Sequence, residues 1–229
     1  MQKVTVLRGA EITDYEDDRG NRVIGSVTPD STATLRFSGS NCTFVIGEKV
    51  TVTGGIHFTH SDGRAEIGDG SHIKANFAVG EGATIRIGKS VGSTGDLLIV
   101  AHDTCTVSIG DDCLFAQQIS VRAWDSHPIY DLRTRERTNF GRDISIGSDV
   151  WVGYGATITG GATIGHGSIV GTHSIVTGST PIGEHELAVG QPAKTIRRYV
   201  SWAKGGTPAP TMAPHAHSDC LARLEAAGS

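Results

Sequence analysis

Residues Ile144 to Gly183 read ISIGSDVWVGYGATITGGATIGHGSIVGTHSIVTGSTPIG, and a six-residue beat runs through them. Steps of six from Ile146 land on Val152, Ile158, Ile164, Val170, Val176 and Ile182, each a β-branched aliphatic. One position after each anchor stands glycine or threonine (Gly147, Gly153, Thr159, Gly165, Gly171, Thr177, Gly183). Four positions after, small residues such as Ala156, Ala162, Ser168 and Ser174 predominate. No helix has this period, and an ordinary strand alternates in twos. A fixed repeat of this kind signals a solenoid, in which each unit buries its apolar side only by stacking on its neighbours. Each hexad supplies a very short strand with one inward anchor, then a corner where bulk would clash. Three hexads close one triangular coil, so Ile146, Ile164 and Ile182 are predicted to stack.

Outward from this stretch the beat continues less strictly at Ile67, Ile73, Val79 and Ile85, and at Ile109, Phe115 and Val121. Ile46 and Val52 mark the first coil, while Asp62 to Arg64 and the region of Ile87 read as small corner loops. Before residue 41 the beat is absent. VTVLRG and TATLRFSG look like ordinary strands around a polar turn, so residues 1–40 are predicted to be a short N-terminal β cap. Residues 41–194 form the β-helix, and residues 195–229 a C-terminal helix and extended tail. The helix expectation rests on Ile196, Tyr199, Val200 and Ala203 falling on one face. The tail from Lys204 is rich in proline and alanine, and CLARLEAA could add a last helical turn.

Composition narrows the function. The 229 residues include 31 glycines and only 6% aromatics, which suits a chain that turns often and packs small side chains. A formal net charge of −4 gives no basic surface for nucleic acid. The start MQKVTVLRGAEITDYEDD has no apolar leader and no later run could span a bilayer, so the chain reads as soluble and cytoplasmic. Cys42, Cys105, Cys113 and Cys220 are scattered without CxxC spacing, which disfavours zinc, disulfide and covalent cysteine chemistry.

The beat breaks at AWDSHPIYD, residues 123–131. Counting by sixes from Ile109 through Phe115 and Val121 puts His127 where the next aliphatic anchor belongs. Pro128 follows, and a protruding loop over 128–143 leaves the coil before the repeat resumes at Ile144. An excursion of roughly 15 residues is uncommon unless it is functional.

Here the sequence resembles the hexapeptide-repeat acyltransferases, which form left-handed parallel β-helices. The resemblance covers roughly residues 45 to 198. It is carried by ISIGSDVWVGYGATITGGATIG, by GTHSIVTGS (171–179), and by VGQPAKTIRR (189–198), which is similar to the family's closing G-N-P-A-K-x-I with Gln191 in place of the commoner asparagine. Within the family, His127 ahead of a loop and Trp151 24 residues on look like the capsular-polysaccharide and sialic acid O-acetyltransferases. The N-terminal helical region expected of maltose-type acetyltransferases is missing.

The resemblance implies acetyl-CoA as donor, a saccharide hydroxyl as acceptor, no metal, and direct transfer in a ternary complex. It also implies a homotrimer with each active site between neighbouring solenoids. A sugar hydroxyl is a weak nucleophile, and imidazole is the side chain suited to take its proton as it attacks the thioester. His127 is therefore the candidate general base. The plain alternative is a turn histidine that caps the break. Asp125, two residues earlier, would orient the imidazole if the backbone there is extended, or else is an exposed turn aspartate. Trp151 should point outward, as either an interface plug or an acceptor-site wall; Trp124 shares the ambiguity. Arg133, Arg135, Arg137 and Arg142 either solvate the loop or recognise an anionic sugar or CoA phosphate. Lys194 and Arg197 or Arg198 are the better phosphate candidates by resemblance. Gly153, Ala156, Gly171, Thr172 and Ser174 would line the pantetheine groove, mainly through backbone groups, though the repeat alone demands small residues there.

Two other classes stand beside this reading. A γ-type carbonic anhydrase shares the hexad solenoid and binds zinc through histidines, but its close pair should read roughly H-x4-H, whereas His166 and His173 are seven apart. A non-catalytic β-helix that scaffolds a complex or binds glycans would leave His127 and the QPAK turn without a role.

Overall fold

Ile146, Ile164 and Ile182 stand in register one above another, 2%, 3% and 4% exposed, as the beat predicts. The computed structural model describes residues 4–204, an all-β parallel β-helix of about eight coils. Each coil lays strands on three faces of a prism. The first face carries β4 (Thr34–Phe37), the second halves of β6 (Thr51–Phe58) and β8 (His72–Val79), β11 (Leu97–Ala101), β14 (Ile119–Arg122), β17 (Thr157–Thr159) and β20 (Ile175–Val176). The second carries the first halves of β6 and β8, then β10 (Gly92–Ser93), β13 (Leu114–Phe115), β16 (Trp151–Val152), β19 (Ile169–Val170), β21 (Glu186–Gly190) and β22 (Ala193–Arg198). The third carries β3 (Arg22–Ile24), β5 (Thr43–Ile46), β7 (Arg64–Ile67), β9 (Thr84–Ile87), β12 (Thr106–Ile109), β15 (Ile144–Ile146) and β18 (Thr163–Ile164).

One continuous apolar column fills the prism, from Ile12 to Ala193. Its β-branched anchors suit a pleated strand buried on one side. The late coils keep the hexad count: Trp151 pairs with Ile169, 18 residues on. Early coils are looser, with Thr51 paired to His72 across 21 residues, which is why the beat slips there. Small residues at the corners also serve the backbone. Buried Ser168 donates to the Gly183 carbonyl at 2.6 Å, and buried Ser174 accepts the Gly190 N–H at 3.1 Å. Such bonds satisfy groups that the turns leave without a strand partner.

At the N-terminus, β1 (Thr5–Arg8) and β2 (Tyr15–Glu16) pair antiparallel with β4 and β3, respectively. Parallel pairing already begins where β3 meets β5, so coil geometry extends upstream of the six-residue beat.

The C-terminal helix expected over Ile196–Ala203 is not formed. Ala193–Arg198 is instead β22, paired antiparallel with β21. β21 would otherwise leave one edge of its backbone groups unpaired, and the returning chain satisfies it. Tyr199, at φ +59°, stops any helix there. Ile196 and Tyr199 are 62% and 69% exposed, so the supposed apolar face is not buried. The chain then runs back along the second face, where the Trp202 indole N–H donates to the Asp149 carbonyl and Lys204 Nζ to the Ser90 carbonyl. The expected tail beyond Lys204, the CLARLEAA turn and Cys220 lie outside the described residues.

Candidate active site

The coil between β14 and β15 is interrupted. Leu114 pairs with Trp151, 37 residues on, where the next coil takes 18. The extra chain leaves after Ala123, whose carbonyl accepts the Arg142 N–H at 3.0 Å, so the excursion spans residues 124–141. It leaves earlier than the count by sixes indicates, and this corrects the position of His127. Ile146, paired with Ile109 and 2% exposed, fills the anchor slot; His127 is exposed within the excursion. A counted period cannot see an insertion that begins ahead of the slot it interrupts.

The excursion is ordered by its own bonds. Tyr130 and Arg137 form an antiparallel bridge, and the Thr138 N–H donates to the Ile129 carbonyl at 2.8 Å. Ser126 sits at φ +67°, and the His127 N–H donates to the Asp125 carbonyl at 2.8 Å, a tight turn of three residues. Asp125 and His127 are thus not presented on one side of an extended strand. The Asp125 carboxylate accepts instead from the Asn139 amide (3.3 Å), which also donates to the His127 carbonyl (2.8 Å). The imidazole of His127 makes no hydrogen bond to a described residue and stays open to a ligand. Sequence reading missed Asn139, because its partners lie 14 and 12 residues away and only the folded loop joins them.

A second unforeseen pair ties the loop to the coil beneath. Arg137 reaches Asp103 at 3.0 Å, and Asp103 also bonds His102 at 3.1 Å. Burial pushes the Asp103 carboxyl up, but bonds to His102 and Arg137 and the Arg137 charge outweigh it and hold its pKa below 3.8. Arg133 pairs with Asp131 in solvent at 3.0 Å, a solvated-loop role. Arg135 and Arg142 make no ion pair with described residues. Thr138, Phe140 and Trp124 line a cleft of about 240 Å³ under the loop.

The remaining candidates gather at another corner. Trp151 lies on β16 of the second face, 39% exposed as predicted, with its ring 6.1 Å from that of Trp202. Gly153 and Gly171 follow β16 and β19 in successive coils, and a Cβ on Gly153 would stand 2.8 Å from the Thr172 amide nitrogen. Ala156 and Ser174 are buried beside them and can offer only backbone to a ligand. Lys194 and Arg197 are exposed on β22 and make no ion pair with described residues, whereas Arg198 is held by Glu186 at 3.0 Å. Within one chain, then, His127 and Asp125 occupy the corner between the first and third faces, and the other candidates the second face and its far corner. Thiol chemistry finds no support here: Cys42, Cys105 and Cys113 are buried, and burial pushes the Cys113 thiol up to about 12. Among the described residues no group of three His, Cys, Asp or Glu is placed to hold a metal ion.

A three-faced solenoid of hexads, broken once by an excursion that exposes a histidine, is a hexapeptide-repeat architecture, and the fold matches that of the left-handed β-helix acetyltransferases. It is similar to a polysialic acid O-acetyltransferase of Escherichia coli O1:K1 / APEC, 40% identical over 134 residues, 58% of this chain and 43% of that protein. A polysialic acid O-acetyltransferase of Neisseria meningitidis is 30% identical over 123 residues, 54% of this chain and 47% of that one. The chain thus spans less than half the length of these curated relatives in the matched region. In three dimensions it overlays a crystal structure of the polySia-specific acetyltransferase NeuO with a TM-score of 0.73 and 26% identity, covering 90% of this chain and 92% of the other. No profile of a known protein family matches the chain.

Proposed function

We propose that the chain is an acetyl-CoA-dependent O-acetyltransferase acting on a saccharide hydroxyl, with His127 as general base. The observation that carries this is the single excursion, which presents an open imidazole on a solenoid otherwise similar over nine tenths of its length to a polysaccharide acetyltransferase. His127 takes the proton of the acceptor hydroxyl as its oxygen attacks the thioester carbonyl. The tetrahedral oxyanion needs a donor, and a backbone N–H beside Trp151 supplies it. Collapse expels the thiolate of CoA, which receives the proton from the imidazolium, so no acyl-enzyme forms. No residue of the proposed chemistry calls for a metal.

His127 and the corner formed by Gly153, Gly171 and Thr172 stand apart in one chain, which supports a site shared between protomers of a homotrimer. The excursion also exposes Ile129, Tyr130, Leu132 (94%) and Phe140 (65%), apolar surface that a neighbouring copy would cover. Lys194 and Arg197 would then meet the CoA phosphates. We place the protein in the cytoplasm, where its free buried thiols stay reduced.

The test is a mass-spectrometric screen of acidic and neutral saccharides with acetyl-CoA. A +acetyl product is expected, and His127→Ala should lower turnover by roughly 10²–10⁴ while CoA still binds. Undiminished turnover in that variant would remove His127 from the chemistry.

A further inference from the structure

The first face holds a trough that the site above does not use. Cross-strand register aligns two outward columns there, Thr34–Gly55–Asn76–Leu98–Ser120 and Arg36–His57–Ala78–Val100–Arg122. Their neighbours in each strand, such as Leu35, Ile56, Phe77, Ile99 and Val121, point inward and are buried. The middles of the columns are hollow because Gly55 has no side chain and Ala78 only a methyl. Next to them Gly54 is at φ +115°, where a Cβ would lie 2.1 Å from the Ala75 carbonyl oxygen, so the backbone itself requires glycine. Two clefts result, of about 430 and 390 Å³, and they share Ala78 and Leu98, which makes one continuous trough along the solenoid axis. Its far end reaches Trp124 and Ser126, where the excursion bearing His127 leaves the coil.

The chemistry of the lining is one-sided. The chain has 24 acidic against 20 basic residues, yet no Asp or Glu lines either cleft. Arg36 and Arg122 stand at opposite ends of one column, four strand spacings or roughly 19 Å apart. Neither forms an ion pair with a described residue. Arg122 is steadied by a bond from Nε to Ser120 Oγ at 3.1 Å, and His57 by Ser38 Oγ at 2.8 Å. At the excursion end the Trp124 indole lies flat on His102, rings 4.4 Å apart and 20° from parallel, an apolar wall for a sugar ring. Guanidinium groups without counter-ions, far apart on a shallow floor of small and apolar residues, fit an extended polyanion whose charges are widely spaced. Single-stranded nucleic acid would need denser cations and several stacking rings, where this trough has one indole.

We propose that this trough is the track along which an acidic polysaccharide lies, its carboxylates held by Arg36 and Arg122 and an internal residue delivered to the excursion. The inference rests on the transferase reading for what happens to that residue, but the binding itself does not. Acceptors long enough to reach both arginines bind better than short ones, and Arg36 acts on acceptor length although it stands far from the reacting atoms.

The experiment uses the full chain and polysialic acid fractionated into short and long chains. Arg36 is exposed on β4, so Arg36→Ala keeps the fold; Arg86→Ala, on β9 of another face, is the control. In direct titrations without donor, Arg36→Ala should weaken binding of long chains roughly tenfold, the scale of one charge-assisted hydrogen bond, while the control binds as the parent does. With acetyl-CoA, the ratio of kcat/KM for long over short acceptors should fall by the same factor. Parent-like affinity of Arg36→Ala for long chains overturns the track, even if acetyl transfer is intact. So does equal, Arg36-dependent binding of a neutral dextran or a single-stranded DNA, or a change of oligomeric state in Arg36→Ala that shows a second copy seated in the trough. Arg36-dependent binding without acetyl transfer leaves the track standing and removes the transferase reading alone.

Discussion

Asn139 is the residue on which the geometry of the excursion turns. Its amide joins the Asp125 carboxylate to the His127 carbonyl, and Ser126 at positive φ folds the three residues between these contacts into a tight turn. Asp125 thereby acts on the backbone that carries His127 and not on the imidazole. If His127 is the base, Asn139→Ala should cost turnover by roughly 10–100-fold through misplacement of the ring, with CoA affinity unchanged. Steady-state kinetics beside CoA titration checks this, and an unaltered kcat would show that the ring is positioned by other means. The sequence marked His127 by its neighbours Asp125, Ser126 and Pro128 and by the broken beat. It held no sign of Asn139, whose role exists only once the loop has closed.

The excursion as an element was legible as an interruption, though not in its limits. Its base at Ala123 and Arg142 lies outside the expected 128–143 on the N-terminal side, because Trp124 to His127 already belong to the loop. What fastens it to the coil is Arg137 on Asp103. The Asp103 pKa is lower in the folded chain than its ordinary 3.8, so this fastening is present in full above that value and fades as the pH falls through the folded pKa. Amide protection over residues 128–141, taken relative to intrinsic exchange at each pH, should therefore fall as the pH drops below 3.8. Arg137→Ala should produce the same loosening at neutral pH with about 1 kcal/mol or less of global stability lost, since the pair is part-exposed. Exchange rates that do not respond to either change would mean that the loop is held by its internal bonds alone. β22 teaches the opposite lesson about elements: its apolar spacing suited a helix, and the open edge of β21 made it a strand.

Over the whole molecule, the candidate groups are divided between the corner of the first and third faces and the second face with its far corner, and the proposed trimer would unite them. Light scattering of the purified chain should give about 72 kDa, three times the 24.0 kDa chain. A monomer would dismantle the shared site while leaving the solenoid untouched. The sequence by itself determined the solenoid, since a six-residue recurrence of β-branched anchors has one way to bury them all, and the buried column of anchors from Ile146 to Ile182 is the result. It also marked the one coil that breaks. Tertiary structure alone decided where the excursion begins, which strand the C-terminal segment joins, and how Arg36 and Arg122 come to flank one trough. Those outcomes depend on contacts between residues tens of positions apart, and a local period carries no information about partners at such range.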